Sequence, residues 1–342
     1  MNKQFKIIIT GGSGFIGSYI VRQLLEAGYK DLHCFKRASS DLRLLGNQVS
    51  SVSWHDVDLL DIVSIANHIE DASIIIHAAA LVSFAPSDKR ELLQFNIEGT
   101  SNLVNAALDA NIEKFIHISS IATLARNKLG KPINESTDAM GTKVSSPYAI
   151  SKFRSEMEVW RGGGEGLPIS ILNPSLVIGS GIWNRGSASM FKQVFQGLSF
   201  YPSGTTGFVD VRDVARAVLH LMEKEVYQER FLISGENRSY QEILQLISTE
   251  LGVRSPSIRL NAILNEVAFL FSKMTSMLTS DAKVITRDSL RNASKTYLFD
   301  NSKSKAMLDL NYIPIAQTIR QTCEQLKVAA DNGYPPTALP LQ

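Results

Sequence analysis

The chain has 342 residues, with 35 Lys plus Arg against 33 Asp plus Glu and a formal net charge of +2. That length suits one large unit with an appended lobe, and the near balance of charge argues against a nucleic-acid or acidic-membrane partner. Its two cysteines, Cys34 and Cys323, have no metal-ligand spacing, so no metal site is expected and a reducing, cytoplasmic compartment suits them.

In chain order, "KIIIT" (6–10) opens with the β-branched run Ile7, Ile8 and Ile9, as a buried parallel strand should, with no signal-peptide pattern before it. From Phe15 the apolar residues move to helical spacing: Phe15, Ile16, Tyr19, Ile20 and Leu24. The glycines of "TGGSGFIG" therefore sit between a strand and a helix. They can be counted two ways. Gly12, Gly14 and Gly17 satisfy G-x-G-x-x-G, while Gly11, Gly14 and Gly17 satisfy G-x-x-G-x-x-G after Thr10. Either count predicts a nucleotide phosphate held by backbone N–H groups at a helix N-terminus. Further strand-like runs follow at "DLHCF", "SVSWHDV", "ASIIIHAA", "KFIHISS" and "PISILN", separated by amphipathic segments. This alternation predicts an α/β fold with a doubly wound parallel sheet.

The stretch "RGGGEGLP" (161–168) reads as the end of a helix before the "PISILN" strand. Beyond Pro174 the rhythm is irregular until "GFVDVRDVARAVLHLMEK" (207–224) and "RFLIS" (230–234) restore a strand-then-helix pattern. The expected division is a dinucleotide-binding unit over 1–180, to which 207–234 returns, and a smaller, mostly helical substrate lobe from 181–206 and 235–342. Within that lobe, "LNAILNEVAFLFSKMTSML" (260–278) is interrupted by Asn265, Glu266 and Lys273, so it reads as a packed helix and not a membrane span. "YPPTALPLQ" is expected to be a loose tail.

The chemistry concentrates in "SSPYAISKFRSEMEVW" (145–160). Tyr148 and Lys152 are four apart on a helix that opens with Pro147, so they share a face. A phenol titrates at about pH 10 in water, and a neighbouring ammonium favours its phenolate, making it usable as a general acid or base. "KFIHISSIATLA" (114–125) ends a strand in Ser119 and Ser120, at the carboxyl edge where such sheets bind ligands. A serine there is placed to hydrogen-bond a substrate oxygen; capping of the following loop is the plainer role, and is preferred for Ser119.

Taken together, these residues resemble the extended short-chain dehydrogenase/reductases, the group of nucleotide-sugar epimerases, dihydroflavonol reductases and 3β-hydroxysteroid dehydrogenases, and the resemblance covers nearly the whole chain. "TGGSGFIG" is similar to the family's T-G-x-x-G-x-x-G cofactor loop, so the second glycine count applies and Gly12 occupies a variable position. "HAAA" (77–80) and "NIEGT" (96–100) match two further family segments. The resemblance implies a Rossmann fold and a catalytic set of Ser120, Tyr148 and Lys152. Tyr148 would exchange the proton, Lys152 would lower its pKa and bind the nicotinamide ribose, and Ser120 would orient the oxygen. Asn96 would either relay protons or fix a helix. For the cofactor it implies Thr10, Gly11, Gly14, Phe15, Ile16 and Gly17 at the pyrophosphate. Ala78, Ala79 and Ala80 would lie alongside, Asp58 and Leu59 at the adenine, and Asn173 and Pro174 near the carboxamide.

NAD-preferring members place an acidic residue after the second strand. Here that place holds Lys36 and Arg37. Arg37 suits a 2′-phosphate, so NADP(H) is favoured with NAD(H) as the alternative; a solvated basic loop is the plainer reading. Ile121 and Ala122 follow Ser120 where dehydratase members carry carboxylates, which disfavours elimination. "ILNPSLVIGSG", "GLSFYPSGTTGFVDVRDVA" and "FLISGENRSYQEIL" look closer to the dihydroflavonol-reductase type, in which Phe208 to Asp213 would wall the substrate cleft. The expectation is an NADP(H)-dependent oxidoreductase that reduces a ketone or aldehyde, or oxidises the matching alcohol, through the Ser120, Tyr148 and Lys152 site. The alternative is a nucleotide-sugar epimerase that recycles NAD. A dinucleotide-sensing regulator on the same fold would not need Tyr148. A homodimer is compatible with the family.

Overall fold

The computed structural model describes residues 5–83, 86–124, 131–137, 146–260 and 291–341. The expected helix over 260–278 lies almost wholly outside them.

The β-branched runs become strands as their composition requires. In chain order the elements are β1 (Ile7–Thr10), α1 (Phe15–Glu26), β2 (Leu32–Lys36), β3 (Ser53–Asp56), α2 (Ile62–Ile69), β4 (Ile74–His77), α3 (Lys89–Asp109), β5 (Lys114–Ile118), α4 (Pro147–Gly164) and β6 (Ile169–Pro174). The second half adds β7 (Leu176–Ile178), α5 (Ala188–Phe195), β8 (Phe200–Tyr201), β9 (Thr205–Asp210), α6 (Val211–Glu223), β10 (Glu229–Ile233), β11 (Glu236–Ser239), α7 (Tyr240–Leu251), β12 (Ile258–Arg259), α8 (Ser302–Leu308) and α9 (Ile315–Ala330).

Seven strands form one sheet in the order β10-β6-β5-β4-β1-β2-β3, and every neighbouring pair is parallel. A parallel sheet needs cover on both faces. Ile7 and Ile9 of β1 point into a core with α1 and α6, and Ile8 points into a second core with α3 and α4. The chain runs outward from β1 through β2 and β3, then in the other direction from β4. The order thus reverses between β1 and β4, and the crevice at their carboxyl ends is the ligand position of such sheets.

The smaller lobe holds a three-stranded sheet, β11-β9-β7, packed with α5, α7 and α9 around Trp183, Phe191 and Phe208. Residues 207–234 are divided: β10 lies in the main sheet and α6 packs on that sheet, whereas β9 lies in the small one. No described helix is long and apolar enough to cross a membrane.

The expected loose tail is instead a packed strap. Leu339 is fully buried and Ala338 and Leu341 lie on the α1–α6 core. The Tyr19 hydroxyl accepts from Leu339 N at 2.6 Å and donates to Ser180 O at 2.9 Å. Arg22 and Arg212 donate to the carbonyls of Leu339 and Pro340. Prolines and small residues look tail-like in sequence, but their backbone polar groups find partners on α1 and α6.

Candidate active site

The glycine loop is built so that main chain occupies the space of side chains. Gly11 has φ +73°, and a Cβ on it would lie 2.6 Å from Ala79 N. A Cβ on Gly17 would lie 2.1 Å from Gly11 O. Gly14 is the N-cap of α1, with no side-chain cap and no acidic residue in the first turn, so the turn's N–H groups remain available to an anion. A pyrophosphate fits this cradle. Gly12 has a different reason to be glycine: its Cβ would lie 2.7 Å from Cys34 Sγ. The side chain of Phe15 reaches the backbone at Gly179 and Gly181 and stands edge-on to Tyr19, while Ile16 is half-buried.

Thr10 and the alanines close the loop from below. Ala78 N donates to Thr10 O at 3.1 Å and Ala79 N to Thr10 Oγ1 at 3.2 Å. Ala80 is half-buried beyond them. Thr10 Oγ1 lies 2.7 Å from His77 Nδ1, and His77 Nε2 lies 2.9 Å from Thr100 Oγ1.

The Ser146 hydroxyl caps α4 by accepting from Ala149 N at 3.1 Å, and Pro147 starts its first turn. This brings Tyr148 beside the end of β5, with its phenol within reach of the Ser120 hydroxyl. Burial raises the phenol's pKa, and the Ser120 hydroxyl pulls it down. Lys152 is buried one turn on, its Nζ donating to Ile118 O at 2.8 Å. Burial lowers its pKa to about 8 against an opposing pull from Glu156. Ser120 is thus a group that favours the phenolate. Ser120 Oγ also accepts from Ala122 N at 3.1 Å.

Asn96 is engaged on every side. Its Oδ1 accepts from Leu81 N at 2.7 Å, and its Nδ2 donates to Leu81 O and Ser151 Oγ at 3.0 and 2.9 Å. Of the two roles read from sequence, this geometry matches the fixing of a helix. Ser119 departs from its expected capping role: its hydroxyl donates to Glu156 Oε2 at 2.5 Å. Asn173 is fully buried on β6, its Nδ2 shared among Ser120 O, Thr123 Oγ1 and Glu156 Oε2. Pro174 is buried at the end of the same strand.

At the adenosine end, Lys36 pairs across the sheet with Asp56 at 2.5 Å, because the two face each other in the β2–β3 register. Arg37 is exposed, with backbone bonds to Ser40 on both sides. Asp58 is exposed and its Oδ1 accepts from Leu60 N. Leu59 is buried, its Cβ 3.1 Å from where a Cβ on Gly99 would stand. The glycine of "NIEGT" thus makes room for the "Asp-Leu" segment.

Phe208 to Asp213 do not wall a cleft. Phe208 and Asp210 to Asp213 are buried: Phe208 is in the lobe core, Asp210 pairs with Arg212 at 2.7 Å, and Asp213 pairs with Arg216. Residues that sequence reading passed over include His77 and His117, whose rings lie 5.1 Å apart. Burial and nearby Lys152 hold His77 down to about 3 and His117 well below the usual range. Glu156 was also missed; its one signal was its place four residues after Lys152.

Residues 7–234 match the model of the NAD dependent epimerase/dehydratase family. The chain is similar to sterol demethylase protein B of Methylococcus capsulatus, 29% identical over 73% of this chain and 76% of that one. It is 28% identical to a putative dihydroflavonol 4-reductase of Synechocystis over 95% of both. In structure it is similar to a UDP-glucose 4-epimerase of Thermotoga maritima with UDP-glucose, with TM-score 0.75 at 21% identity, covering 95% of this chain and 99% of the other. With the cradle at α1 and two thirds of its sequence accounted for, the chain belongs to the NAD dependent epimerase/dehydratase family, and it is an NAD(P)-linked oxidoreductase or epimerase of the extended short-chain dehydrogenase/reductase type.

Proposed function

We propose that this protein is an NADP(H)-dependent reductase of a small ketone or aldehyde, running in reverse on the matching alcohol. The observation that carries the reading is Tyr148 set beside Ser120 at the end of β5, with Lys152 buried one turn further along the same helix and tied to Ile118 O. A bound nicotinamide supplies or accepts the hydride. Tyr148 passes the proton to or from the substrate oxygen, and Ser120 donates a hydrogen bond to that oxygen as charge builds on it. Lys152, four residues along the same helix, holds positive charge under the site and is assigned to the ribose hydroxyls. The glycine cradle, Ala78 to Ala80, Asp58 with Leu59, and Asn173 with Pro174 complete the cofactor's path.

Two observations support a reductase that releases its cofactor. Similarity to a putative dihydroflavonol 4-reductase extends over 95% of both chains. Arg37 stands exposed just beyond β2, where a guanidinium can bind a 2′-phosphate bidentately. The second reading, a nucleotide-sugar epimerase that recycles NAD, is favoured by the structural likeness to a UDP-glucose 4-epimerase.

The test is to incubate cofactor-stripped protein with NADPH and a panel of ketones and aldehydes, and separately with NAD and UDP-sugars. Stoichiometric loss of reduced-nicotinamide absorbance, absent in Tyr148→Phe, is the expected result. Inversion of a UDP-sugar with no net absorbance change would establish the epimerase instead.

A further inference from the structure

We propose that Glu156 is a positioning residue of this site, its buried carboxylate fixing both the turn that carries Ser120 and the strand end that carries Asn173. The inference rests on the reading of Ser120, Tyr148 and Lys152 given above.

The geometry is that of an anchor. Oε2 accepts from Ser119 Oγ at 2.5 Å, Thr123 Oγ1 at 2.7 Å and Asn173 Nδ2 at 2.8 Å. Oε1 faces Arg230 Nη1 and Trp160 Nε1, both at 3.4 Å. Five donors converge on a side chain that is only 4% exposed. An ionised carboxylate is the side chain that accepts at every lone pair and donates nowhere.

Two of these donors bracket Ser120. Ser119 precedes it, and Thr123 follows by three residues. The Ser120 carbonyl accepts from Thr123 N at 3.1 Å and has Asn173 Nδ2 at 3.2 Å and Thr123 Oγ1 at 3.0 Å, the single Thr123 hydroxyl proton being shared between this carbonyl and the carboxylate. Each side-chain donor to that carbonyl is itself tied to Glu156. The Ser120 peptide thus has little freedom while the carboxylate is in place. A misplacement of about 1 Å in a catalytic group costs about a hundredfold in rate.

The carboxylate also carries charge. Lys152 lies one turn before it on α4, and Glu156 opposes the burial that depresses Lys152. The other ionisable groups around Lys152 are Tyr148 on the same helix, His77 on β4 and His117 on β5; Arg230 on β10 faces Glu156. A knot that served only for stability would hold the turn without tuning Lys152.

Glu156→Gln keeps the shape and removes the charge. The expected results are a kcat lowered about 10- to 100-fold, NADPH affinity by fluorescence titration within about threefold, and an alkaline limb of the rate profile displaced to lower pH by about one unit. A readout that needs no turnover is the pH at which the urea midpoint of the unliganded protein begins to rise as Lys152 loses its proton; it should move the same way. Wild-type kcat, or a lowered kcat with both pH readouts unmoved, would overturn the proposal. If Glu156→Gln does not fold, Thr123→Val cuts the link to the Ser120 carbonyl while keeping the charge. It should lose about tenfold in kcat with the alkaline limb in place, and wild-type kcat there would equally refute the idea. Tyr148→Phe, run in parallel, separates the two levels: a fully active Tyr148→Phe removes the reading of the site, whereas an inactive one beside an unaffected Glu156→Gln removes only the anchor.

Discussion

Lys152 should cost the unliganded protein stability, and replacing it with methionine should reveal how much. Burial takes its pKa from 10.5 to about 8. A fall of about 2.5 pH units corresponds to about 3 kcal/mol of penalty on the charged form. The lysine is protonated in both folded and unfolded chains at pH 7, so the wild type bears the whole penalty there. Between pH 8 and 10.5 the folded state gives up its proton before the unfolded one, and stability rises with pH. Lys152→Met never has the charge. It does leave the Ile118 carbonyl without its 2.8 Å donor, at a cost of about 1 to 3 kcal/mol. The variant should therefore equal or exceed the wild type by up to about 2 kcal/mol at pH 7, then fall behind by about 3 kcal/mol relative to that starting point at pH 10.5. Other alkaline titrations are common to both proteins and cancel in the difference. Urea denaturation of cofactor-free protein across this range measures it, alongside loss of turnover in the variant. A stability difference independent of pH would refute the buried-ammonium argument.

Arg37→Asp should reverse the preference between NADPH and NADH, because a carboxylate repels the 2′-phosphate and accepts from ribose hydroxyls; equal NADPH affinity in both proteins would leave Arg37 without a role. Gly17→Ala should lower cofactor affinity about 10- to 100-fold in fluorescence titration, since its methyl would stand 2.1 Å from Gly11 O and must push the cradle open. Wild-type affinity would mean the cradle yields without consequence. Tyr19→Phe should lower stability by about 2 to 3 kcal/mol, by stranding Ser180 O and Leu339 N. It should also expose residues 335–341 to protease; an unchanged urea midpoint would show the strap to be incidental.

The centre of the sheet was legible in sequence because β1 and β4 are short β-branched runs buried on both faces, as in "KIIIT" and "ASIIIH". The candidate site was legible wherever a backbone demand restricts the residue type: glycine at Gly11 and Gly17, proline at the start of α4, the four-residue step from Tyr148 to Lys152. Contacts between residues far apart in the chain were not. That Gly12 yields to Cys34 and Gly99 to Leu59 depends on the packing of separate elements. Glu156 looked like any surface glutamate on a polar helix until β5, β6 and β10 surrounded it with donors. The strap over α1 carries no apolar periodicity, and Lys36 is spent on Asp56 only because of strand register.

The bond from Leu339 to Tyr19 spans 320 positions of chain, and it has a consequence for biosynthesis. Translation at about 5 to 20 residues per second separates those two residues by roughly 15 to 65 seconds. For that interval α1, which carries the glycine cradle at its N-terminus, lacks the partner that covers Tyr19 and Arg22. The nascent protein therefore presents a phosphate-binding loop whose supporting helix is still unbraced, and an early-captured dinucleotide would act as a folding ligand well before there is any enzyme to serve.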